Sequence, residues 1–137
     1  MRVRALVLDV TALDMLLLDT SFLVELEDEL VRRSPGPAMA LLAAHRRSVT
    51  AISIITLGEF AEGFTDPRAF GEFIARFRVV QLSRGIAWRA AMLQGSLEQR
   101  LGENDAWIAA TSLAYDAILV GRDPAFTRVT RLRYLAF

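Results

Sequence analysis

Short apolar runs alternate along the chain with longer segments in which apolar residues recur every three or four positions. The runs MLLL, SVTAIS, RVVQLS, AILVG and LRYLAF have the length and side-chain types of buried strands. The segments between them have helical periodicity, and the first helix is predicted over residues 22–32 with Thr20 or Ser21 as its cap. Alternating strands and helices predict an α/β fold with a parallel sheet covered on both faces.

Four carboxylates lie at the ends of these elements or on their surfaces. Asp19 and Asp123 each follow a predicted strand, where ligands bind in parallel sheets covered by helices. Glu59 lies on a predicted helix among apolar neighbours, and burial there would be costly unless a cation balanced its charge. Asp105 lies near the start of another helix. Taken singly, each aspartate could instead be a helix cap or a loop residue.

The first 14 residues contain a near copy of the segment around Asp19. LVLDVTALD and LLLDTSFLVE share one pattern, but only the second precedes a full helix. We therefore interpret Asp9 as a decoy, residues 1–14 as an N-terminal extension and residues 15–137 as a single domain. An alternative interprets Asp9 as the nucleophile of an aspartyl phosphatase, although Thr11 stands where that motif has a second aspartate.

The amino-acid composition narrows the chemistry by what it omits. Among the 137 residues there is no cysteine and no lysine, so all 16 basic residues are arginine. This excludes disulfides, thiolate metal sites, P-loops and Schiff-base enzymes. The single histidine, His45, lies at a predicted helix end, where a cation favours the helix dipole. An active site in this chain would therefore depend on carboxylates.

The charge balance and the hydropathy pattern bear on partners and location. Sixteen acidic residues offset the arginines, and this zero net charge argues mildly against nucleic-acid binding while leaving a local arginine patch open. No uncharged apolar run approaches the roughly 18 residues of a membrane span. No cleavage site follows the N-terminal arginines, so we expect a cytoplasmic protein without a membrane segment.

Carboxylates without imidazole or thiolate partners suit a hard divalent cation. Mg²⁺ and Mn²⁺ prefer oxygen ligands, and such ions promote phosphodiester hydrolysis by activating water and stabilising charge on the phosphate. The residues alone therefore suggest a metal-dependent nuclease. Its candidate catalytic and metal-binding residues are Asp19, Glu59, Asp105 and Asp123.

The chain contains three sequence blocks in this order: MLLLDTSFLVELE, SIITLGEFAEG and ENDAWIAATSLAYDAILVGRDPAF. Together they resemble the PIN-domain nucleases, and more narrowly the VapC-type toxins of bacterial toxin–antitoxin pairs. The resemblance runs from residue 15 to the C-terminus. It implies a three-layer α/β/α PIN-like domain with a central, mainly parallel sheet. It also implies a Mg²⁺- or Mn²⁺-dependent endoribonuclease, with Asp19 and Asp105 as the main metal ligands and Glu59 and Asp123 completing the acidic pocket.

The resemblance also implies supporting residues. Thr20 would help to fix the site through its hydroxyl, and Thr111 matches a position near the pocket. Family members often have Thr or Ser where this chain has Gly121, so a hydroxyl is missing two residues before Asp123. That aspartate is therefore the least secure of the four. We interpret Asn104 as a helix cap.

Partners follow from the same resemblance. We expect an RNA substrate, a homodimer and a cognate VapB-like antitoxin that blocks the acidic pocket with an arginine. Contact with operator DNA would be made only through that antitoxin. The alternative is a catalytically inactive PIN-like module that binds RNA or a partner without cutting.

Overall fold

A parallel sheet of five strands forms the centre of the protein, seen in a computed structural model that describes residue 10 and residues 13–137. The strand order is β3-β2-β1-β4-β5, and every adjacent pair is parallel. All five predicted strands are confirmed. Most of the predicted extension, including Asp9, lies outside the described residues. The strands are β1 (Met15–Leu18), β2 (Val49–Ser53), β3 (Arg78–Val80), β4 (Ile118–Gly121) and β5 (Arg133–Ala136).

Helices connect these strands, and in the described part of the chain none is long and apolar enough to cross a membrane. The predicted cap of the first helix was wrong by one residue. The helix begins at Thr20, so Asp19 occupies the cap position, and its carboxylate makes no capping bond. The helices are α1 (Thr20–Arg32), α2 (Pro37–Ala44), α3 (Ile54–Ala61), α4 (Pro67–Ile74), α5 (Arg84–Ser96), α6 (Glu103–Ala114) and a short 3₁₀ helix (Pro124–Arg128).

The two faces of the sheet carry separate hydrophobic clusters, which confirms the three-layer α/β/α arrangement. Leu16 and Leu18 of β1 point to one face, towards α1 to α4, whereas Leu17 points to the other, towards α5 and α6. All four residues of β4 are buried as well. Burial on both faces explains why the central strands appear in the sequence as continuous apolar runs instead of alternating patterns.

A buried glutamate joins α1 to α2. The carboxylate of Glu29 accepts hydrogen bonds from the backbone N–H groups of Gly36, Ala38 and Met39 at 2.8, 2.9 and 2.8 Å. Burial by itself would raise the pKa of Glu29, but these three N–H groups together hold it below its usual value. A side chain at Gly36 would place its Cβ 2.8 Å from Glu29 Oε2, so glycine is needed for this close approach. Glu29 therefore has a structural role.

Candidate active site

Asp19 lies where the course of the chain across the sheet reverses. From β1 the chain moves outward to β2 and β3 and then returns to β4 on the opposite side of β1. In open parallel sheets, ligands bind at such a point, beyond the carboxyl ends of the strands. Asp19 follows β1 directly, and its backbone N–H donates to the Val120 carbonyl of β4 at 2.9 Å. Its side chain is only 7% exposed.

Asp123 follows the neighbouring strand β4 and caps the short 3₁₀ helix. Its Oδ1 accepts the backbone N–H of Ala125 at 2.9 Å, and the residue is exposed. Asp123 is therefore both the cap of the 3₁₀ helix and a residue at the acidic site. The second carboxylate oxygen makes no hydrogen bond with the described residues and is therefore available to a ligand.

Glu59 is half-buried on α3, and two side chains from other helices hold its carboxylate. The Thr20 hydroxyl donates to Oε1 at 2.6 Å, and the Asn104 amide donates to Oε2 at 3.1 Å. The interpretation of Asn104 as a cap was wrong, because Gly102 occupies the cap position of α6 and Asn104 lies inside the first turn. One carboxylate therefore ties together the first turns of α1 and α6.

Asp105 lies half-buried in the first turn of α6, and the preceding loop is fixed by a residue that the sequence analysis missed. Gln94 is buried on α5. Its amide donates to the Leu101 carbonyl at 2.7 Å and accepts the Leu101 N–H at 2.9 Å. The available signal was a glutamine on the apolar side of a helix, next to Leu93. Gln94 thus helps to determine where α6 begins.

The negative charges of the four predicted carboxylates interact with one another at this end of the sheet. The pKa of Asp19 is raised to about 6, mainly by burial, and the Thr20 N–H opposes part of the rise. The negative charges of Asp105, Glu59 and Asp123 also contribute to this raised pKa. Burial also raises the pKa of Asp105, and the charges of Asp123 and Glu59 add to that rise. Such mutual effects require the side chains to be close together.

No positive side chain balances this cluster within the described residues. The arginine nearest in sequence, Arg122, instead pairs with Glu25 at 2.9 Å and lies over the Phe137 ring. None of the four carboxylates takes part in an ion pair with the described part of the chain. A pocket of unbalanced oxygen donors is suited to a hard cation. However, among the residues described, no three acidic or imidazole side chains are already arranged to hold a metal ion.

Thr111 and Tyr134 carry two further hydroxyl groups, and only that of Tyr134 lies beside the acidic cluster. The predicted supporting residue Thr111 is fully buried inside α6, where its hydroxyl donates to the Trp107 carbonyl at 2.8 Å. Tyr134 of β5, which the sequence analysis missed, donates to the Asp123 carbonyl at 2.9 Å. Burial raises the pKa of Tyr134, and the negative charges of Asp19, Asp123 and Asp105 raise it further. Tyr134 therefore lies beside the acidic cluster.

The chain matches a known protein family and is similar to several solved structures. The family model described as "PIN domain" matches residues 16–132. No curated protein matches the sequence significantly. Of the similar solved structures, VapBC2 from Rickettsia felis, bound to a DNA fragment from its promoter, has a TM-score of 0.74 and 22% identity and covers 89% of this chain and 98% of that chain.

Two other structures are similar in fold. VapBC-1 from nontypeable Haemophilus influenzae has a TM-score of 0.68 and 22% identity, covering 89% of this chain and 97% of that chain. VapBC-5 from Mycobacterium tuberculosis, a member of the VapBC family of toxin-antitoxin systems, has a TM-score of 0.61 and 20% identity, covering 90% and 97%. At these identities the similarity concerns the fold.

Proposed function

This chain belongs to the PIN-domain family, and from that premise we propose that it is a metal-dependent endoribonuclease that acts as the toxin of a VapBC-like toxin–antitoxin pair. The observation that carries the proposal is the environment of Asp19. This buried carboxylate, at the end of the central strand, lies close to three other carboxylates and has a pKa raised to about 6. A divalent cation would remove the electrostatic cost of that arrangement.

The donor chemistry supports Mg²⁺ or Mn²⁺, with Asp19 and Asp105 as the main ligands. When bound, the ion would activate a water molecule and stabilise negative charge on the attacked phosphate. Glu59 already accepts hydrogen bonds at both oxygens, so we assign it to orienting water or holding a second ion. Asp123 keeps one oxygen for the same task, because the other caps the 3₁₀ helix.

The chain's own residues would keep this site rigid before RNA arrives. Thr20 and Asn104 hold the Glu59 carboxylate from two helices, and Gln94 fixes the loop that leads to Asp105. Preorganised groups do not have to reorganise as charge develops during the reaction. The choice of RNA as substrate rests on membership of the family.

The antitoxin and the homodimer are part of the same proposal. VapBC-5 is a member of the VapBC family of toxin-antitoxin systems, VapBC2 and VapBC-1 share the VapBC name, and each match covers nearly all of the similar chain. The unbalanced acidic pocket would accept an arginine from such a partner through charge-assisted hydrogen bonds, in competition with the metal. The exposed side chains of Trp88 and Met92 on α5 offer an apolar surface for a second copy.

The experiment that tests the activity compares RNA cleavage by the wild type, Asp19→Asn and Asp105→Asn in Mg²⁺ or Mn²⁺, on a panel of structured RNAs. We expect loss of cleavage in both variants. Asp28→Asn is the matched control, because Asp28 is an exposed aspartate on α1 that pairs only with Arg32. Equal cleavage by all four proteins would reject the assignment.

A second candidate function is a PIN-like module that binds RNA or a protein without cutting. The observation in its favour is that, in the described part of the chain, the carboxylates are not already arranged as a metal site. Calorimetry separates the two candidates. Binding of Mn²⁺ that is lost in Asp105→Asn would exclude the inactive module, whereas RNA or antitoxin binding with no uptake of Mn²⁺ would favour it.

A further inference from the structure

The backbone at Gly121 lies unusually close to the acidic site. A Cβ at this position would lie 3.2 Å from Asp19 Oδ2, 3.3 Å from Asp19 Cβ and 3.3 Å from the Tyr134 hydroxyl. No glycine in the described residues has a positive φ, so backbone conformation does not require glycine here. The requirement comes from the neighbours. Gly121 leaves room for the side chains of Asp19 and Tyr134, which both lie close to the place that its Cβ would occupy.

Tyr134 is firmly held in this space. It lies on the edge strand β5, where its Cα pairs with that of Leu119, two residues before Gly121. Its ring packs against the fully buried Phe126 with 5.5 Å between ring centroids. Its hydroxyl donates to the Asp123 carbonyl at 2.9 Å. The ring contact and the hydrogen bond together fix the position of the oxygen.

Resting on the proposed function, we propose that Tyr134 is a positioning residue of the metal site, which places its hydroxyl in the space left by Gly121. The hydrogen bond holds the backbone of Asp123, while the Ala125 N–H holds one oxygen of the Asp123 side chain. The turn after β4 is thereby fixed at two points. As a result, Tyr134 helps to orient the remaining oxygen of Asp123 towards the metal site, although Tyr134 itself would not contact the metal.

The hydrogen-bonding geometry agrees with this role. A tyrosine hydroxyl is protonated at neutral pH, so Tyr134 can serve as a donor to the Asp123 carbonyl. A purely structural tyrosine at the edge of the sheet would stabilise the fold but would have no effect on metal affinity. The two roles therefore differ in a measurable quantity.

The test begins with Tyr134→Phe, which keeps the ring and removes only the hydroxyl. Two quantities are measured: Mn²⁺ affinity by calorimetry, and amide hydrogen exchange over residues 119–128 without metal. We expect Mn²⁺ affinity to fall on the order of tenfold, as is usual when a residue that orients a ligand is lost. Exchange over the turn after β4 should become faster. Unchanged Mn²⁺ affinity would overturn the proposal, even if exchange over the turn became faster.

Substitutions at Gly121 then identify what the hydroxyl does. In the Tyr134→Phe background a Cβ at residue 121 no longer meets the phenol oxygen, but it still lies 3.2 Å from Asp19 Oδ2 and 3.3 Å from Asp19 Cβ. Gly121→Ser and Gly121→Ala therefore crowd Asp19 in the same way and differ only in the serine hydroxyl. Because the proposal acts through the bond to the Asp123 carbonyl, we expect neither substitution to restore the Mn²⁺ affinity of Tyr134→Phe. Recovery by serine alone would assign the effect to a hydroxyl beside Asp19, and equal recovery by both would mean that only space is filled; either result would overturn the proposal.

These measurements distinguish a failure of the proposed function from a failure of the proposal for Tyr134. If the wild type binds no Mn²⁺, the metal-dependent nuclease is rejected whatever the variants do. The exchange comparison then decides by itself whether Tyr134 holds the turn that carries Asp123. Thermal unfolding of each variant checks that the fold is retained before either quantity is compared.

Discussion

The Thr20 hydroxyl donates to Glu59 Oε1 across 2.6 Å, joining the first turn of α1 to the middle of α3. The two residues are 39 positions apart in the sequence. Thr20 directly follows Asp19, so the same turn of backbone places one carboxylate and orients another. Because the Asn104 amide holds the second oxygen, Glu59 cannot rotate away from the site without losing one of these bonds.

Replacement of Thr20 by valine should therefore slow RNA cleavage clearly while lowering the free energy of unfolding only slightly. Valine keeps the branched shape but leaves Oε1 of Glu59 without a donor, so we expect RNA cleavage to fall on the order of tenfold. Loss of one hydrogen bond should cost about 1 kcal/mol in the free energy of unfolding. Thr20→Ser retains the hydroxyl and is the control. Equal cleavage rates for the valine and serine variants would show that the bond does not support the site.

The raised pKa of Asp19 predicts how stability depends on pH without metal. In the unfolded chain its pKa lies near 3.8, and in the folded protein it is about 6. The folded state therefore binds the proton more tightly, so the free energy of unfolding should decrease as pH rises between these values. The loss should reach on the order of 3 kcal/mol. Urea unfolding between pH 4 and 7.5 measures it, and Asp19→Asn should remove most of this dependence. An Asn variant less stable than wild type at pH 7 would contradict the prediction.

The same titration predicts the pH dependence of metal binding. Mn²⁺ requires deprotonated carboxylates, so its affinity should rise as pH passes through the pKa of Asp19, about 6, and level off once Asp19 is ionised. Stabilisation by a fixed concentration of Mn²⁺ should accordingly be small at pH 5 and large at pH 7.5. Thermal unfolding with and without the ion measures this difference. Asp28→Asn should behave as the wild type does, and an equal stabilisation at both pH values would contradict the prediction.

The sequence was sufficient to predict features that depend on local pattern. Apolar runs predicted all five strands, and the positions of Asp19 and Asp123 directly after two of them predicted that both lie at one end of the sheet. Electrostatic coupling among the four carboxylates agrees with the expectation that they lie close together. The predictions for the strands and for Asp19 and Asp123 are confirmed, because the carboxyl ends of parallel strands lie at the same edge of a sheet.

Features that depend on register or on the path of a loop could not be predicted. Tyr134 reaches Asp123 only because of the pairing between β4 and β5, which the sequence does not specify. Gln94 reaches Leu101 because the loop between α5 and α6 turns back on itself. Asn104 looked like a helix cap because the helix was expected to begin near it, yet Gly102 is the cap.

Glu29 should contribute to stability above the acidic range. Its folded-state pKa is lowered, so this contribution is present above the unfolded value near 4.5 and is lost as pH falls through the folded value. Glu29→Gln weakens three hydrogen bonds to the start of α2 and should lower the free energy of unfolding at pH 7 by about 2 kcal/mol. Urea unfolding at pH 7 and pH 3 measures the effect, which should shrink at the lower pH.

The control for Glu29 is Glu27→Gln on the same helix, because Glu27 makes no hydrogen bond or ion pair within the part of the chain that the structure describes. Glu29 lies ten residues from Asp19, roughly 15 Å along a helix. The cleavage rate of folded Glu29→Gln should therefore match the wild type. An equal loss of stability in both variants would show that the bonds to α2 are not responsible.

Gln94 should affect both stability and metal affinity, because it fixes the loop before Asp105. Gln94→Leu leaves the Leu101 N–H and carbonyl without partners in a buried setting, so we expect a loss of about 2 kcal/mol in the free energy of unfolding. The start of α6 would also lose its constraint, so Mn²⁺ affinity should fall several-fold in the folded variant. Gln99→Leu makes the same change at an exposed position in that loop and should leave both quantities nearly unchanged. If Gln94→Leu lost stability while its Mn²⁺ affinity stayed at the wild-type value, the side chain would stabilise the loop without positioning Asp105.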